Sequence, residues 1–143
     1  MWIFVYLALV LSLTLVSARA ASVTFDARSA NSGKWSDAST WVNQRAPRAG
    51  ENVQIRAGHV VIYDADETVR VLHVGGTLTF ARDKSTGLND GLLKVLPGDQ
   101  CNDDGFDCHD MSDATSSTAS KAALEIGTRD NPIPSAVTAT IRL

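Results

Sequence analysis

The sequence predicts an all-β protein built as a right-handed parallel β-helix, a solenoid in which short strands form stacked coils. Residues 53–80 alternate short runs of β-branched and apolar residues with glycines, and runs this short are typical of strands rather than helices. Four glycines recur at intervals of 18, 22 and 29 residues, near the length of one solenoid coil. These corner glycines are Gly58, Gly76, Gly98 and Gly127. A β-sandwich, which also contains many short strands, is the alternative.

The first twenty residues have the pattern of a secretory signal peptide. Residues 2–16 are almost entirely apolar, and Ala18 and Ala20 supply small side chains at the −3 and −1 positions of a cleavage site. The apolar run of about 15 residues is shorter than the roughly 20 needed to span a bilayer. The sequence therefore predicts a signal peptide at 1–20, a secreted domain at 21–143, and no membrane span after cleavage. An uncleaved anchor is the alternative.

Composition argues against nucleic acid as a partner. The chain has 143 residues, a formal net charge of −3 and no cluster of Lys and Arg. Proteins that bind nucleic acids neutralise phosphates with basic patches, so nucleic acid is not an expected partner.

Two tryptophans, Trp35 and Trp41, precede the central strands. They can cover the open end of a sheet stack, where each buries a large apolar area. The alternative is a platform on which sugar rings stack. Trp35 and Trp41 are therefore the candidate ligand-binding residues.

The central strands predict which side chains enter the core. Val53 and Ile55 flank the polar Gln54, and Val60 and Ile62 follow the polar His59 at the same period of two, so these four are expected to face inward. The alternation changes phase near Leu72, which predicts a bulge or a corner there.

Three features follow the phase change along the chain. His73 is expected to be an outward strand residue rather than a ligand. Residues 81–91 are expected to form a loop that ends in a turn, Asn89-Asp90-Gly91. Residues 92–96 are expected to form another short strand.

An acidic insert at 99–121 interrupts the strand pattern. Residues 99–113 hold six aspartates and no Lys or Arg. The two cysteines, Cys101 and Cys108, lie in this insert. In an exported protein they are predicted to form a disulfide. Nearby oxygen-bearing side chains could bind Ca²⁺, and the alternative is a solvated acidic loop. The tentative calcium ligands are Asn102, Asp103, Asp104 and Asp107.

Strand character resumes at 123–127 and again at 137–143. In the last run Val137, Ala139, Ile141 and Leu143 share one face. An apolar strand of this kind at the end of a solenoid predicts that further coils stack upon it. The chain is therefore expected to be the first part of a longer β-helix protein, or a domain whose far end needs a partner.

Five short motifs follow one another along the chain: Gly33-x-Trp35 with Thr40-Trp41, Pro47-x-x-Gly50, Gly58-x-Val60-Val-Ile62, Leu72-x-Val74-x-Gly76 and Leu124-Glu-Ile126-Gly127. In this order and spacing they resemble the G8 domain, an extracellular β-rich family. Family members include fibrocystin-type proteins and cell-surface proteins that bind or depolymerise hyaluronan, in which the domain precedes parallel β-helix repeats. The resemblance implies an extracellular module whose expected ligand is an extracellular polysaccharide or protein, but it supplies no catalytic residues.

These observations predict a non-catalytic extracellular module that contacts a ligand or partner. No Ser–His–Asp arrangement, phosphate-binding loop or zinc spacing is found in the sequence, and no cofactor other than Ca²⁺ is expected. The alternatives are a carbohydrate-binding module of the glycosaminoglycan type and the front end of a polysaccharide-active enzyme.

Overall fold

The computed structural model describes residues 24–96 and 121–143, which contain short strands and one turn of 3₁₀ helix, Ala38–Thr40. The strands in these ranges are β1 (Ala27–Arg28), β2 (Gly33–Lys34), β3 (Asn52–Ile55), β4 (Val60–Tyr63), β5 (Asp66–Val69), β6 (Val71–Val74), β7 (Thr77–Phe80), β8 (Thr86–Asp90), β9 (Leu93–Val95), β10 (Ala123–Glu125) and β11 (Ala139–Arg142).

The strands form three parallel sheets. Their orders are β1-β3-β6-β9 in the first sheet, β2-β4-β7-β10 in the second and β5-β8-β11 in the third. Strands that are consecutive in the chain lie in different sheets, and each strand pairs in parallel with a strand from the next turn of the chain. We number these turns as coils: β1 and β2 form the first, β3–β5 the second, β6–β8 the third and β9–β11 the last. The all-β prediction is confirmed, and the parallel pairing fits a β-helix-like fold.

The core lies between the three sheets and consists of side chains stacked coil upon coil. Val53 lies opposite Leu72 in the first sheet, and Val61 opposite Leu78 in the second. Burial of such side chains contributes roughly 1.5–3 kcal/mol each. The largest fully buried side chains also include Trp35, Trp41, Tyr63, Phe80, Ile55 and Leu88.

The prediction that Val60 and Ile62 face inward is wrong, because the alternation of β4 is shifted by one residue. Val60 and Ile62 are 45% and 37% exposed, whereas Val61 and Tyr63 are completely buried. Tyr63 pairs with Phe80, and its ring lies 5.2 Å from that of Phe80. The inward aromatic side chain determines the phase of the strand, because a shift by one residue would move Tyr63 to the surface.

The predicted loop at 81–91 contains strand β8. Its residues pair with β5 on one side and β11 on the other, and Leu88 is completely buried between Glu67 and Ile141. The local turn signal at 89–91 is overridden by pairing with residues 21 positions away in β5 and 53 positions away in β11, because these pairings bury Leu88 and satisfy its backbone.

The phase change near Leu72 is explained by a corner at Arg70, between β5 and β6. His73 lies on the outer face of the first sheet, since Leu72 and Val74 enter the core. It is nevertheless completely buried. The ring of Phe25 stacks on it with centroids 6.0 Å apart, and Nε2 of Gln54 lies 3.2 Å from its Nδ1.

Candidate ligand-binding groove

The two tryptophans proposed as ligand-binding residues lie inside the protein. Trp35 and Trp41 are both 0% exposed. Their rings meet edge to face at 5.1 Å, and Nε1 of Trp41 donates a 2.8 Å hydrogen bond to the carbonyl oxygen of Trp35. Trp35 also packs against Tyr63 of the second coil, at 5.0 Å. Sugar stacking needs an open ring face, which neither indole has; the pair instead closes the core at the first coil.

The other predicted site residues lie outside the described residues. The pairing of Cys101 with Cys108 and calcium binding by Asn102, Asp103, Asp104 and Asp107 stay predictions for that reason. Within residues 24–96 and 121–143, no three His, Cys, Asp or Glu side chains are grouped so as to hold a metal ion.

A groove crosses the outer face of the second sheet. Four side chains that lie opposite one another in register form its floor, each supplied by a different coil. We call them the floor row: Lys34, Ile62, Thr79 and Glu125. They point outward because their chain neighbours Val61, Leu78 and Leu124 belong to the core or pack against it. Adjacent strands are about 4.8 Å apart, so the row extends roughly 14 Å along the stack.

One wall of the groove consists of two loops that follow the second-sheet strands. The loop at 81–84 follows β7 and the loop at 127–131 follows β10, and together with the floor they enclose about 480 Å³. Arg82 joins the loops, because its Nε donates to the carbonyl oxygen of Pro132 at 3.0 Å and its Nη1 donates to Oδ1 of Asn131 at 3.2 Å. The wall is therefore a cross-coil structure that Arg82 holds together.

Both signs of charge line the groove. The carboxylate of Asp64 is hydrogen-bonded within the protein. Its two oxygens accept hydrogen bonds from the backbone N–H and the hydroxyl of Ser36, at 2.9 and 2.7 Å. Within the described part of the chain, no ion pair or side-chain hydrogen bond engages the remaining charged groups apart from Arg82. These free groups are Lys34, Asp83, Lys84 and Glu125. The groove thus offers donors and acceptors to a polar ligand.

A serine–histidine pair elsewhere in the fold is structural. Oγ of Ser29 lies 2.8 Å from Nδ1 of His59. The same oxygen accepts a 2.9 Å hydrogen bond from the backbone N–H of Arg56, and Ser29 is 0% exposed. A nucleophile must reach its substrate, so this buried hydroxyl ties the first coil to the second and does not form a site.

Two carboxyl groups outside the groove are perturbed by burial. Burial raises the pKa of Glu67 on β5 and the pKa of Asp90 at the end of β8. A raised pKa reflects the penalty for placing a negative charge away from water. Neither residue lines the groove, so neither contributes to its chemistry.

Sequence reasoning missed the floor row. The row joins positions 34, 62, 79 and 125, and the intervals between them are irregular because coils differ in loop length. The polar residues at the outward positions of three of these strands, Lys34, Thr79 and Glu125, were a usable signal. This signal could be interpreted only by knowing which residues pair between neighbouring coils. The wrong phase predicted for β4 hid that pairing as well.

The parallel sheets, the stacked interior and the groove across one sheet define a β-helix-like protein with an elongated polar cleft. A family model for the G8 domain matches residues 40–143. The match covers well over half of the chain, and the chain therefore belongs to the G8 domain family. The matched range contains the second, third and last coils and begins within the 3₁₀ turn that precedes Trp41.

No curated protein and no solved structure matched the chain. In the portion that the structure describes, no helix has the length and apolar character needed to cross a membrane.

Proposed function

We propose that the chain is a non-catalytic extracellular module that holds a polysaccharide in the groove across β2, β4, β7 and β10. The observation that carries the proposal is the floor row, in which Lys34, Ile62, Thr79 and Glu125 extend over four coils. A continuous row of this length suits an extended polymer better than a compact metabolite.

The chemistry of the groove supports a sugar. Each hydroxyl of a sugar both donates and accepts hydrogen bonds, and the groove presents cations, carboxylates, hydroxyls and an amide. Ile62 is 37% exposed in the floor and gives an apolar surface for sugar C–H groups. The signal peptide predicted at 1–20 and the family membership support secretion to where such polymers occur.

A groove-filling variant tests this proposal. Thr79→Trp places a large ring in the centre of the floor, and the outward position of Thr79 keeps the core intact. Thr68→Trp is the matched control, because Thr68 is exposed on the third sheet. The secreted chain and both variants are applied to an array of immobilised polysaccharides, with thermal unfolding measured in parallel.

The expected result is that the wild type and Thr68→Trp bind the same polysaccharides and Thr79→Trp binds none, at equal melting temperatures. Equal binding by both variants would contradict the groove as the site. Failure of the wild type to bind any saccharide would contradict the proposed function itself.

A second proposal concerns the last coil as a contact for further β-helix coils. Strands β9, β10 and β11 each lie at the edge of their sheet within the described residues. Among residues 24–96 and 121–143, five of the eight exposed large apolar side chains are on this coil or its corners: Leu92, Val95, Leu96, Ile126 and Leu143. Unpaired strand edges with apolar surroundings accept additional strands, so downstream β-helix repeats are the proposed occupant.

A further inference from the structure

The groove runs along the stack of coils and not along the strands. Its floor row takes one outward residue from each of four coils, and each of these residues lies directly opposite the next. Each step along the row is one pair of parallel strands, a distance of about 4.8 Å. The floor therefore repeats at the spacing of the strands.

The wall of the groove has the same direction as its floor. In the first two coils, Ser36 donates to Asp64 through its backbone N–H and its hydroxyl. In the third and last coils, Arg82 donates to Pro132 and Asn131. All five residues follow strands of the second sheet, so the same side of the groove is joined from coil to coil. A ligand in the groove meets one coil after another.

A polymer whose unit is as long as one strand spacing can contact every coil with the same part of its unit. In a β-1,4-linked chain of glucose-type sugars, both glycosidic bonds are equatorial and leave opposite ends of the ring. Such a chain is extended, and each sugar advances it by nearly one strand spacing of about 4.8 Å. In an α-1,4-linked glucose chain the axial bond turns the chain into a helix, so successive sugars cannot follow a straight floor.

We infer that the groove binds an extended β-1,4-linked polysaccharide along the stack, with one sugar on each of the four coils. The inference rests on the proposed function and adds the linkage and the length of the bound segment. Charge does not distinguish the linkages, because the groove is lined by three cations and three anions. The geometry of the floor is the selective feature.

Oligosaccharides that differ only in linkage test the inference. Cellobiose to cellohexaose are β-1,4-linked glucose chains of two to six sugars, and maltose to maltohexaose are their α-1,4-linked counterparts. Chitin oligosaccharides of the same lengths are a second β-1,4-linked series. Lys34→Ala shortens the floor at the first coil. Lys121→Ala is the matched control, since Lys121 is exposed and does not line the groove. Affinities are measured by titration calorimetry, with thermal unfolding in parallel.

We expect affinity for at least one β-1,4-linked series to rise with length up to four sugars and to stay level from four to six. Each added sugar should contribute roughly two- to tenfold, the range of one net hydrogen bond. The α-1,4-linked series should show no such rise. Lys34→Ala should move the plateau to three sugars and Lys121→Ala should leave it at four, both at the melting temperature of the wild type.

Three results would overturn the inference while leaving the groove as the binding site. They are an equal dependence on length in the α- and β-linked series, a plateau that Lys34→Ala does not move, and binding of polysaccharides without affinity for either β-1,4-linked series. A wild type that binds no saccharide would overturn the inference together with the proposed function.

Discussion

Asp90 places a carboxyl group in the interior. It is 4% exposed, and its Oδ1 accepts a 2.9 Å hydrogen bond from the backbone N–H of Leu92. Its Oδ2 is buried without a hydrogen-bond partner among the described residues. Burial raises the pKa of this carboxyl above its ordinary value of 3.8, because the charged form has lost its hydration.

The raised pKa predicts how Asp90→Asn changes stability with pH. The folded protein binds the Asp90 proton more tightly than the unfolded chain, so the wild type loses stability as pH rises from about 3.8 through the higher folded-state pKa. Relative to the wild type, Asp90→Asn should therefore gain stability over that window and keep the gain at neutral pH. Urea unfolding at several pH values measures the difference, which should be smallest below the window. A difference that is constant with pH would contradict this account, and exposed Asp66→Asn serves as the control.

A glycine is required at position 76 because the backbone of the preceding coil lies close to it, and not because Gly76 has a positive φ. A Cβ at this position would collide with the carbonyl oxygens of Arg56 and His59, which belong to the preceding coil. Gly76→Ala should cost about 3 kcal/mol, because neither backbone oxygen can move freely. Gly50→Ala is the matched control: Gly50 has φ +80° and open space around it, so only the conformational cost of about 1 kcal/mol applies. Urea unfolding compares the two, and an equal or smaller loss at Gly76 would be inconsistent with the close approach.

At the scale of single elements, β4 shows why strand phase is difficult to predict. The run Val60-Val61-Ile62 is apolar on both faces, so its composition does not indicate which face enters the core. The deciding residue is Tyr63, which packs between Trp35 and Phe80, and both partners come from other coils. The sequence was sufficient to predict a strand here, whereas its phase depends on contacts that local periodicity does not contain.

A pair of isosteric substitutions tests the phase of β4. Val61→Thr places a hydroxyl in the core and should cost about 1–3 kcal/mol, because the hydroxyl loses its hydration. Val60→Thr places the same group on the 45% exposed outer face and should change stability by less than about 0.5 kcal/mol. Chemical denaturation measures both. A larger loss in Val60→Thr would restore the phase expected from the sequence.

The groove wall is a second element whose integrity depends on one side chain. Arg82→Ala removes both hydrogen bonds that connect the loops at 81–84 and 127–131. The bonds are exposed, so global stability should fall by less than about 1 kcal/mol, while the amides of residues 128–131 should exchange faster with solvent. Arg129→Ala is the control, since Arg129 is exposed in the same loop. Equal exchange in the two variants would show that Arg82 does not hold the wall.

For the molecule as a whole, the sequence predicted the class of fold and the family but not the site. Strand periodicity and corner glycines are local properties, so they could be recognised without knowing the register; Gly58 and Gly127 indeed adopt φ +78° and +69° at corners. The groove requires Lys34 and Glu125 to share a row, although 90 positions separate them in the chain. That arrangement follows from coil lengths, which range widely because loops are inserted between coils. The burial of Trp35 likewise depends on the next coil, since its ring packs against Tyr63.

The stacked architecture predicts that stability decreases towards the last coil. Its apolar residues Leu93, Leu124 and Ile141 are only partly buried, whereas their counterparts in the third coil are fully buried. In solenoids each coil is stabilised mainly by its neighbours, and the described residues provide the last coil with a neighbour on one side only. Local opening should therefore begin at β10 and β11.

Two amides with similar hydrogen bonds allow this gradient to be measured. The N–H of Ala123 donates to Gly76 at 2.9 Å in the last coil, and the N–H of Thr77 donates to His59 at 2.8 Å in the third. Because the bonds are alike, faster hydrogen exchange at Ala123 would report opening of the last coil.

Leu124→Ala should accelerate exchange at Ala123 and leave Thr77 unchanged, whereas Leu78→Ala should destabilise the whole stack by about 2–5 kcal/mol. A further coil docked on β9, β10 and β11 should slow exchange at Ala123 towards the rate of Thr77. Equal rates at the two amides in the isolated chain would remove the physical reason for proposing that the last coil receives a partner.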